Sequence, residues 1–503
     1  MSIFRILGPP GTGKTTALLD RVDRALEEGI DPKLIGYFAF TKQASREAIE
    51  RACKRFNLTE DDLPWFRTLH SFALRLSGIR QEQIMQKEHY EELSDELGIQ
   101  LSGSKAFDPE DLEDLSKNNN PYINLINLAR LRKVSLREQY DDTHTNIDWL
   151  TLEYVARGFD NYRKQMDVYD FTDMLSVFVQ ENVCPRLLIS FIDEAQDLSP
   201  LQWDVANIIA ENSERTICAG DDDQAIYRWA GADVEQFISL DGGYEVLEQS
   251  YRVPGEVHVM AERVVRRIDR RVPKVYKPRE ERGHVEHLAT IWDLDVTEGS
   301  WLILAQSAYM LSPVVSMLRE DGYLFTYQGR RSISDKISLA INGWEQLRNG
   351  KHITGEAVKA IYSFMSVGNR IQRGFKKAPG VDDDDLYDME NLTRHLGLRA
   401  TTDMIWHDAM DRLPERDRAY ITALLRRGEK FNAKPRIAVS TIHGSKGGEA
   451  DNVAIFTDLS GAAHRDFLDN PDDTHRVFYV GVTRTRKNLY VIEPQHPMQS
   501  YTL

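Results

Sequence analysis

A short glycine-rich loop near the start of the chain does most to restrict its fold. Residues 8–15 read GPPGTGKT, directly after the apolar run IFRIL and before a helical pattern that ends near Glu28. The spacing GxxxxGK[ST] between a strand and a helix is typical of a phosphate-binding loop. Its glycines let backbone N–H groups approach a phosphate, and the helix N-terminus favours negative charge. The pattern therefore predicts a parallel strand–loop–helix unit that binds a nucleotide.

Within this loop, the lysine is expected to bind the β and γ phosphates and the following threonine hydroxyl to bind Mg²⁺. A small-molecule kinase fits the loop alone as well as a nucleotide hydrolase does. The nucleotide-binding residues predicted here are Gly8, Pro9, Pro10, Gly11, Thr12, Gly13, Lys14, Thr15 and Thr16.

Apolar runs alternate with amphipathic helical patterns along much of the chain, which indicates parallel sheets with helices on both faces. The runs are IFRIL, IGYFAF, WFRT, LLISFID, RTICAG, VEHLAT, WLILAQ, YLFTYQ, RIAVST, NVAIFT and NLYVIE. A chain of 503 residues is also too long for a single hydrophobic core. We expect an α/β fold with two parallel-sheet domains, each interrupted by a mainly helical insertion. The predicted domains are 1–79 with 166–244 around an insertion at 80–165, and 245–334 with 431–503 around an insertion at 335–430.

The composition narrows the class of protein. With 63 Lys and Arg against 79 Asp and Glu, the net charge is −16, which argues mildly against nucleic-acid binding but leaves room for a locally basic groove. The three cysteines form no CxxC pair, which excludes a zinc ribbon and indicates a reducing compartment. No apolar run is long enough to span a membrane, and the first residues do not resemble a signal peptide. A cytoplasmic protein without membrane contact is expected.

Two acidic residues at the end of a strand favour hydrolysis. FIDEAQD at 191–197 places Asp193 at the strand tip, where it is expected to hold Mg²⁺, and Glu194 beside it, where it is expected to orient or deprotonate water. An acidic loop without such a role is common after a strand. Because this chain also has a phosphate loop, that interpretation is the weaker one.

The segment GDDDQAIYRWAGA at 220–232 joins acids, an amide and two large rings. Because it follows the strand RTICAG, Gln224 is expected near the γ-phosphate. Tyr227 and Trp229 then point toward another surface, where exposed rings stack on unpaired bases. The alternative is that both rings are buried in a domain interface.

These motifs together resemble superfamily 1 DNA helicases of the UvrD/Rep/PcrA branch. The resemblance runs from residue 3 to about 495 in order, apart from the two insertions, and GDDDQAIYRWAGA is its most specific element. It implies two RecA-like motor domains that hydrolyse ATP with Mg²⁺ in the cleft between them. YDFTDML at 169–175 resembles a further element of the family.

The resemblance also assigns roles to individual residues. AFTKQASREA at 39–48 and FRTLHSFALRL at 66–76 resemble two motifs that follow the DNA strand, and STIHGSKGGEADNV at 440–453 resembles one that couples DNA to nucleotide. The implied DNA contacts, added to the two rings above, are Phe40, Thr41, Thr68, His70, Thr441, His443 and Ser445. The implied nucleotide contacts are Tyr251 on adenine, Arg252 at the γ-phosphate, Glu449 at the ribose and Arg484 as a second arginine finger.

The function implied is an ATP-dependent single-stranded DNA translocase or helicase that moves 3′→5′. Its expected partners are single-stranded DNA and 3′-tailed duplex DNA. Lys14, Glu194, Gln224, Arg252 and Arg484 are its expected catalytic residues. An ATP-gated single-stranded DNA-binding protein without processive unwinding is the alternative, and a small-molecule kinase is a more distant one.

The chain departs from the family pattern at Ala230 and after Lys487, and it also carries a basic run. Ala230 stands where relatives have an arginine. The basic run MAERVVRRIDRRVPKVYKPR at 260–279 is interpreted as a solvated helix face with a basic tail. After Lys487 no strand-separating hairpin is evident, so the chain alone is expected to translocate better than it unwinds.

Overall fold

A computed structural model describes residues 3–39, 42–101, 120–143 and 145–503, except the side chain of residue 43. The chain forms two compact units. Unit 1 consists of Met1–Val285, Gly461–Asn488 and Leu503, and unit 2 consists of Glu286–Ser460 and Leu489–Thr502. No helix in the described ranges is long and apolar enough to cross a membrane.

Unit 1 contains a six-stranded parallel sheet with the strand order β3-β2-β4-β5-β1-β6. The strands are β1 (Phe4–Leu7), β2 (Ile35–Ala39), β3 (Phe66–Thr68), β4 (Leu187–Ile192), β5 (Ser213–Gly220) and β6 (Tyr244–Val246). Since all strands run in the same direction, the loops after β1, β4 and β5 emerge at one edge. That edge is where open α/β sheets bind ligands.

Helices cover both faces of this sheet, and apolar side chains fill the space beneath them. One core contains Phe72, Phe178 and Trp203, and the other contains Leu18 and Phe191. Burial on both faces explains why β1, β2 and β4 read as nearly continuous apolar runs. The helices are Lys14–Glu27, Lys42–Phe56, Leu69–Leu76, Phe171–Glu181, Pro200–Glu211, Val234–Ile238, Gly255–Val265, Gly461–Asp469 and Pro471–Val482.

The first insertion packs around its own core. In the part that the structure describes, its helices are Lys87–Leu97, Pro121–Arg132, Leu136–Asp142 and Trp149–Met166. Leu93, Ile123, Leu152 and Phe159 are buried together in a cluster separate from those under the sheet. The described helices agree with the predicted helical character of 80–165.

The sheet of unit 2 has seven strands in the order β10-β9-β13-β8-β14-β15-β7. The strands β9, β13, β8 and β14 pair in parallel, and β10 pairs with β9 in the antiparallel sense. Their bounds are β7 (His284–Leu288), β8 (Trp301–Ala305), β9 (Phe325–Tyr327), β10 (Arg330–Arg331), β13 (Ile437–Thr441), β14 (Ala450–Phe456) and β15 (Thr485–Ile492). Two mainly parallel sheets confirm the predicted fold class.

The second insertion shares a core with the sheet of unit 2. Trp344 and Ile361 from the insertion lie in one apolar cluster with Ile303 and Val439 from the strands. The helices of unit 2 are Ser312–Glu320, Asp335–Arg348, Gly355–Ser363, Met389–His395, Trp406–Ala409 and Glu415–Arg427, and a small hairpin pairs β11 (Ile353–Thr354) with β12 (Leu386–Tyr387). This segment therefore packs as an extension of the unit rather than as a separate body.

The boundary of unit 1 lies elsewhere than the predicted boundary at residue 245. Unit 1 extends to Val285 and takes in Gly461–Asn488. The reason is local pairing: β6 lies parallel to β1, and the Ser250 hydroxyl donates to the Pro10 carbonyl at 2.7 Å. The division into four segments stays a prediction.

Candidate nucleotide-binding site

The phosphate loop follows β1 and leads into the helix Lys14–Glu27, as its sequence predicts. Gly8 is required because the side chain of Lys14 folds back across the loop, so that a Cβ on Gly8 would lie 1.8 Å from Cγ of Lys14. Gly11 has φ +73°, and a Cβ there would lie 2.4 Å from Cβ of Arg252. The loop backbone is therefore approached closely by two cationic side chains.

The helix after the loop begins without a side-chain cap. Its N-cap residue is Gly13, with φ 79° and ψ 39°, and the Gly13 carbonyl accepts the first helical bond from the Ala17 N–H at 2.8 Å. A glycine N-cap offers no oxygen to the first-turn N–H groups, which suits an anionic ligand at this end of the helix.

Asp193 lies at the carboxyl end of β4, next to the first turn of the helix Lys14–Glu27. The Thr15 hydroxyl donates to its Oδ2 at 3.0 Å, and the Tyr37 hydroxyl donates to the same oxygen at 3.2 Å. The Lys14 ammonium lies 3.6 Å from a carboxylate oxygen of Glu194. The structure thus brings together the lysine, threonine and two acids that the sequence assigned to phosphate, metal and water.

The electrostatics around Asp193 fit a divalent cation. Burial, and then the charge of Glu194, raises the pKa of Asp193 to about 6. A bound cation would offset this cost, and a carboxylate beside a hydroxyl supplies the hard oxygen ligands that Mg²⁺ prefers. The described residues contain no group of three or more His, Cys, Asp or Glu side chains placed to hold a metal.

Glu194 occupies an unusual backbone conformation. Its φ of 53° and ψ of 39° lie in the left-handed region, which costs a residue with a side chain about 1–2 kcal/mol. Such strain persists where the surroundings impose it, often at functional sites. Here it turns the chain sharply after β4, directly beside Asp193.

Gln196 is a site residue that the sequence did not single out. Its buried amide donates to Glu194 at 2.6 Å and to Asp197 at 2.8 Å, and its side-chain oxygen accepts from the Asp221 N–H at 3.0 Å. A Cβ on Gly220 would lie 2.5 Å from that oxygen. Gln196 therefore connects the loop after β4 to the loop after β5, and its position within FIDEAQD was the only sequence signal.

Gln224 and Arg484 meet in unit 1. The Gln224 amide donates to Asp221 at 2.5 Å, and the Arg484 guanidinium donates to the Gln224 side-chain oxygen at 2.8 Å. Arg484 is buried and also donates to the Val480 carbonyl at 3.0 Å. Two residues that the resemblance assigned to the γ-phosphate are thus in direct contact, and their catalytic roles stay predictions.

The segment after β6 rests on the phosphate loop. The Tyr251 N–H donates to the Gly11 carbonyl at 2.8 Å, while the Tyr251 side chain is 73% exposed. The Ser250 hydroxyl, bound to Pro10, also accepts from the Val253 N–H at 3.1 Å and fixes this turn. Tyr251 and Arg252 therefore lie beside the phosphate loop, and their contacts with the nucleotide stay predictions.

The interpretation of 260–279 as a solvated basic tail is wrong for two of its residues. Lys274 is buried, and its ammonium lies 2.6 Å from a carboxylate oxygen of Asp222. Arg271 donates two hydrogen bonds to the Asp223 carboxylate, at 2.8 and 2.7 Å. The acidic run after β5 is buried, and these two cations offset most of its charge.

The two rings after Gln224 differ in exposure. Trp229 is 44% exposed and Tyr227 is half-buried. Their ring centroids lie 6.2 Å apart at an interplanar angle of 64°, an edge-to-face contact. Trp229 is therefore more exposed than the buried-interface alternative predicts, and its stacking on bases stays a prediction.

The predicted DNA contacts near β3 are less accessible. The Thr68 hydroxyl caps the helix Leu69–Leu76 by accepting from the Ser71 N–H at 3.2 Å. His70 is buried, stacked on Phe171 with ring centroids 3.7 Å apart, and burial lowers its pKa to about 3. Phe40 and Thr41 lie outside the described residues, so their assignment stays a prediction.

Four predicted residues lie in unit 2, around the end of β13. The Thr441 hydroxyl accepts from the Gly444 N–H at 3.1 Å, and the buried Ser445 hydroxyl donates to the Ile442 carbonyl at 2.7 Å. His443 is half-buried and Glu449 is exposed. The turn is thus ordered by its own hydroxyl groups, and the DNA and ribose contacts stay predictions.

Comparison with known proteins identifies two family regions. Residues 2–245 match the family model described as UvrD/REP helicase N-terminal domain, and residues 436–492 match the one described as UvrD-like helicase C-terminal domain. Together they include every candidate site residue of the nucleotide site except the segment at 250–252 and Lys274.

Relatives include the ATP-dependent DNA helicase PcrA of Staphylococcus aureus, 26% identical over 54% of this chain and 38% of that protein. PcrA of Leuconostoc citreum is 26% identical over 74% of this chain and 46% of that protein. The chain thus spans less than half the length of these curated relatives. The crystal structure of arterivirus nonstructural protein 10 (helicase) covers 97% of this chain and 59% of its own, with 11% identity and a TM-score of 0.34.

Proposed function

The chain belongs to the UvrD/Rep/PcrA branch of superfamily 1 DNA helicases, and we propose from that premise that it is a motor that hydrolyses ATP and moves along single-stranded DNA. The observation that carries the proposal is the segment after β5. Within six residues it joins Gln224, bound to Arg484, to the exposed ring of Trp229. One short segment would therefore link the hydrolysis site to a surface suited to unpaired bases.

In this proposal the phosphate loop and the acids after β4 perform hydrolysis. Lys14 and the N-terminus of its helix bind the phosphates, and Thr15 and Asp193 would hold Mg²⁺. The metal, when bound, would neutralise charge on the phosphates. Glu194 positions a water molecule and accepts its proton, held in place by Gln196 at 2.6 Å.

Three residues in unit 1 are proposed to respond to the γ-phosphate. Arg252 lies against Gly11 of the phosphate loop, and Arg484 donates to Gln224. Arginine side chains stabilise the charge that develops during phosphoryl transfer. The Arg484–Gln224 hydrogen bond joins two of these residues, so they would meet a γ-phosphate as one unit.

The proposed track is a single DNA strand. Trp229 supplies a stacking surface, and base–aromatic stacking contributes about 1–3 kcal/mol per base without regard to sequence. Tyr251 supplies an exposed ring for adenine beside the phosphate loop. The family resemblance implies movement from 3′ to 5′ and activity on 3′-tailed duplex DNA.

A single-strand translocation assay separates the motor from the alternative, an ATP-gated DNA-binding switch. Arrival at a fluorescent label on the 5′ end is followed on strands of increasing length. A motor gives a delay that grows linearly with length, whereas a switch gives a delay that is independent of length. Moving the label to the 3′ end tests the direction, because a 3′→5′ motor gives no length-dependent arrival there.

A further inference from the structure

A buried cluster of charged side chains is in contact with Gln224. Asp221, Asp222 and Asp223 are at most 1% exposed, as is the side chain of Lys274. The Lys274 ammonium lies 3.1 Å from Asp221, 2.6 Å from Asp222 and 2.8 Å from Asp223. One cation therefore touches three consecutive carboxylates.

The two oxygens of Asp221 have different partners. Oδ1 lies against Lys274 at 3.1 Å, and Oδ2 accepts from the Gln224 amide at 2.5 Å. The charge of Lys274 offsets the cost of burying this carboxylate, and an uncompensated carboxylate at this depth would turn toward water and release Gln224. Lys274 thus holds the Asp221 carboxylate in place, with its other oxygen facing Gln224.

This contact fixes which way the Gln224 side chain points. With its NH₂ group bound to Asp221, its oxygen faces the Arg484 guanidinium at 2.8 Å. The opposite orientation would set the NH₂ group against a guanidinium and an amide oxygen against a carboxylate, which are two repulsive contacts. Lys274, Asp221, Gln224 and Arg484 therefore form a series of contacts. The direction of its hydrogen bonds is set at the Lys274 end.

A second contact holds the same turn to the helix that precedes Arg484. The Arg476 guanidinium donates to the Asp222 carbonyl at 3.0 Å and to the Arg270 carbonyl at 2.5 Å. The loop at 270–274 is thereby fastened both to the acidic turn and to the helix Pro471–Val482. Lys274 cannot shift without disturbing the turn that carries Gln224.

We propose that Lys274 is a positioning residue for ATP hydrolysis, which acts through Asp221 to orient the Gln224 amide toward Arg484. The proposal rests on the function proposed above. Lys274 does not touch the reacting atoms in this account. Its removal is expected to lower turnover without weakening nucleotide binding.

A double-mutant cycle tests this role against a purely structural one. Lys274→Met is expected to lower the ATPase kcat at least about tenfold, with KM for ATP changed less than about threefold. In a Gln224→Ala background the same substitution should lower kcat less than about twofold, because the residue through which it acts is gone. A structural role predicts the same fold-loss in both backgrounds, and that result would overturn the proposal.

A second variant keeps the test valid if Lys274→Met does not fold. Asp221→Asn leaves two carboxylates, Asp222 and Asp223, facing two cations, Lys274 and Arg271, so no cation of the cluster is left without a carboxylate. Lys274 and Gln224 contact different oxygens of Asp221, and an amide has only one oxygen, so in the variant one of the two donors would face an NH₂ group. The same loss of kcat, again dependent on Gln224, is expected, and a loss of equal size in the Gln224→Ala background would contradict the proposal.

Arg271→Lys is the matched control, because Arg271 belongs to the same cluster but pairs with Asp223 rather than Asp221. Its kcat should stay within about twofold of wild type. A Gln224-dependent loss as large as that of Lys274→Met would show that the whole cluster, and not Lys274, acts on Gln224. The wild-type rate is measured first: its absence contradicts the proposed function, whereas equal losses in an active protein contradict only the positioning role.

Discussion

The Arg484 guanidinium donates a hydrogen bond of 2.8 Å to the side-chain oxygen of Gln224. The two residues come from opposite halves of the chain, yet they meet within unit 1. The contact places a buried cation beside the turn that continues to Trp229. The sequence motifs imply a connection between nucleotide and DNA, and this hydrogen bond is a candidate for part of it.

Arg484→Ala is expected to leave ATP binding nearly unchanged and to lower turnover by about 10³–10⁵, the range found for arginine fingers. The reason is that its charge would be needed only as the γ-phosphoryl group transfers. The measurement is kcat in single-strand-stimulated hydrolysis, with nucleotide affinity from a fluorescent analogue. Exposed Arg486→Ala is the control. Near-normal turnover in Arg484→Ala would remove it from the site.

Glu194→Gln is expected to bind Mg²⁺ and ATP but to lose turnover by orders of magnitude, because the amide cannot accept the proton of the attacking water. The shape of the side chain is preserved, so its contact with Gln196 remains possible. The same substitution at exposed Glu214 on β5 controls for charge removal. Equal rates in the two variants would assign the proton acceptor elsewhere.

Trp229→Ala is expected to weaken single-strand binding by about 1–3 kcal/mol, the contribution of one stacked base. Hydrolysis without DNA should stay unchanged, since Trp229 lies outside the phosphate site. Fluorescence anisotropy of a labelled oligonucleotide gives the affinity, and Trp292→Ala, at a tryptophan 60% exposed in unit 2, is the matched control. Lost basal hydrolysis or a large loss of stability would instead indicate a structural ring.

His70 predicts an acid-sensitive unit 1. Burial lowers its pKa to about 3 in the folded protein, whereas an unfolded chain protonates it near 6.5. Its stabilising effect is therefore complete above about pH 6.5 and is lost as the pH falls, by about 1.4 kcal/mol between pH 7.5 and 5.5. His70→Phe keeps a ring against Phe171 and removes the titration.

The test compares the free energy of urea unfolding of unit 1 at the two pH values. Wild type and a control variant at exposed His496, His496→Phe, should lose about 1.4 kcal/mol more on acidification than His70→Phe. The same acid loss in all three proteins would show that His70 does not stay neutral in the folded state.

The elements that the sequence predicted correctly are those with strong local patterns. The runs that became β1, β2, β4 and β8 are apolar because both sheet faces are covered. The strand β6 was not predicted, because Tyr244–Val246 is short and partly exposed, and only its pairing with β1 defines it. The shared core of the second insertion depends likewise on tertiary packing.

In the candidate site, too, some residues could be predicted from the sequence and others could not. Lys14, Thr15, Asp193 and Glu194 were predicted because their order along the chain fixes their order at one sheet edge. Gln196 and Lys274 were not, because a polar residue in sequence looks solvated until its burial and its partners are known. The basic run around Lys274 was assigned to solvent for that reason, since its three carboxylate partners lie some fifty positions earlier in the chain.

The most direct test of the account is the steady-state ATPase rate of the wild-type chain with and without single-stranded DNA. The account predicts a low basal rate that rises at least about tenfold with a saturating oligonucleotide, because the segment with Gln224 and Trp229 joins the two sites. Blunt duplex DNA of the same sequence serves as the comparison and should stimulate far less. An equal rate with and without single-stranded DNA would contradict a DNA-driven motor and would favour a nucleotide enzyme that acts on a small molecule.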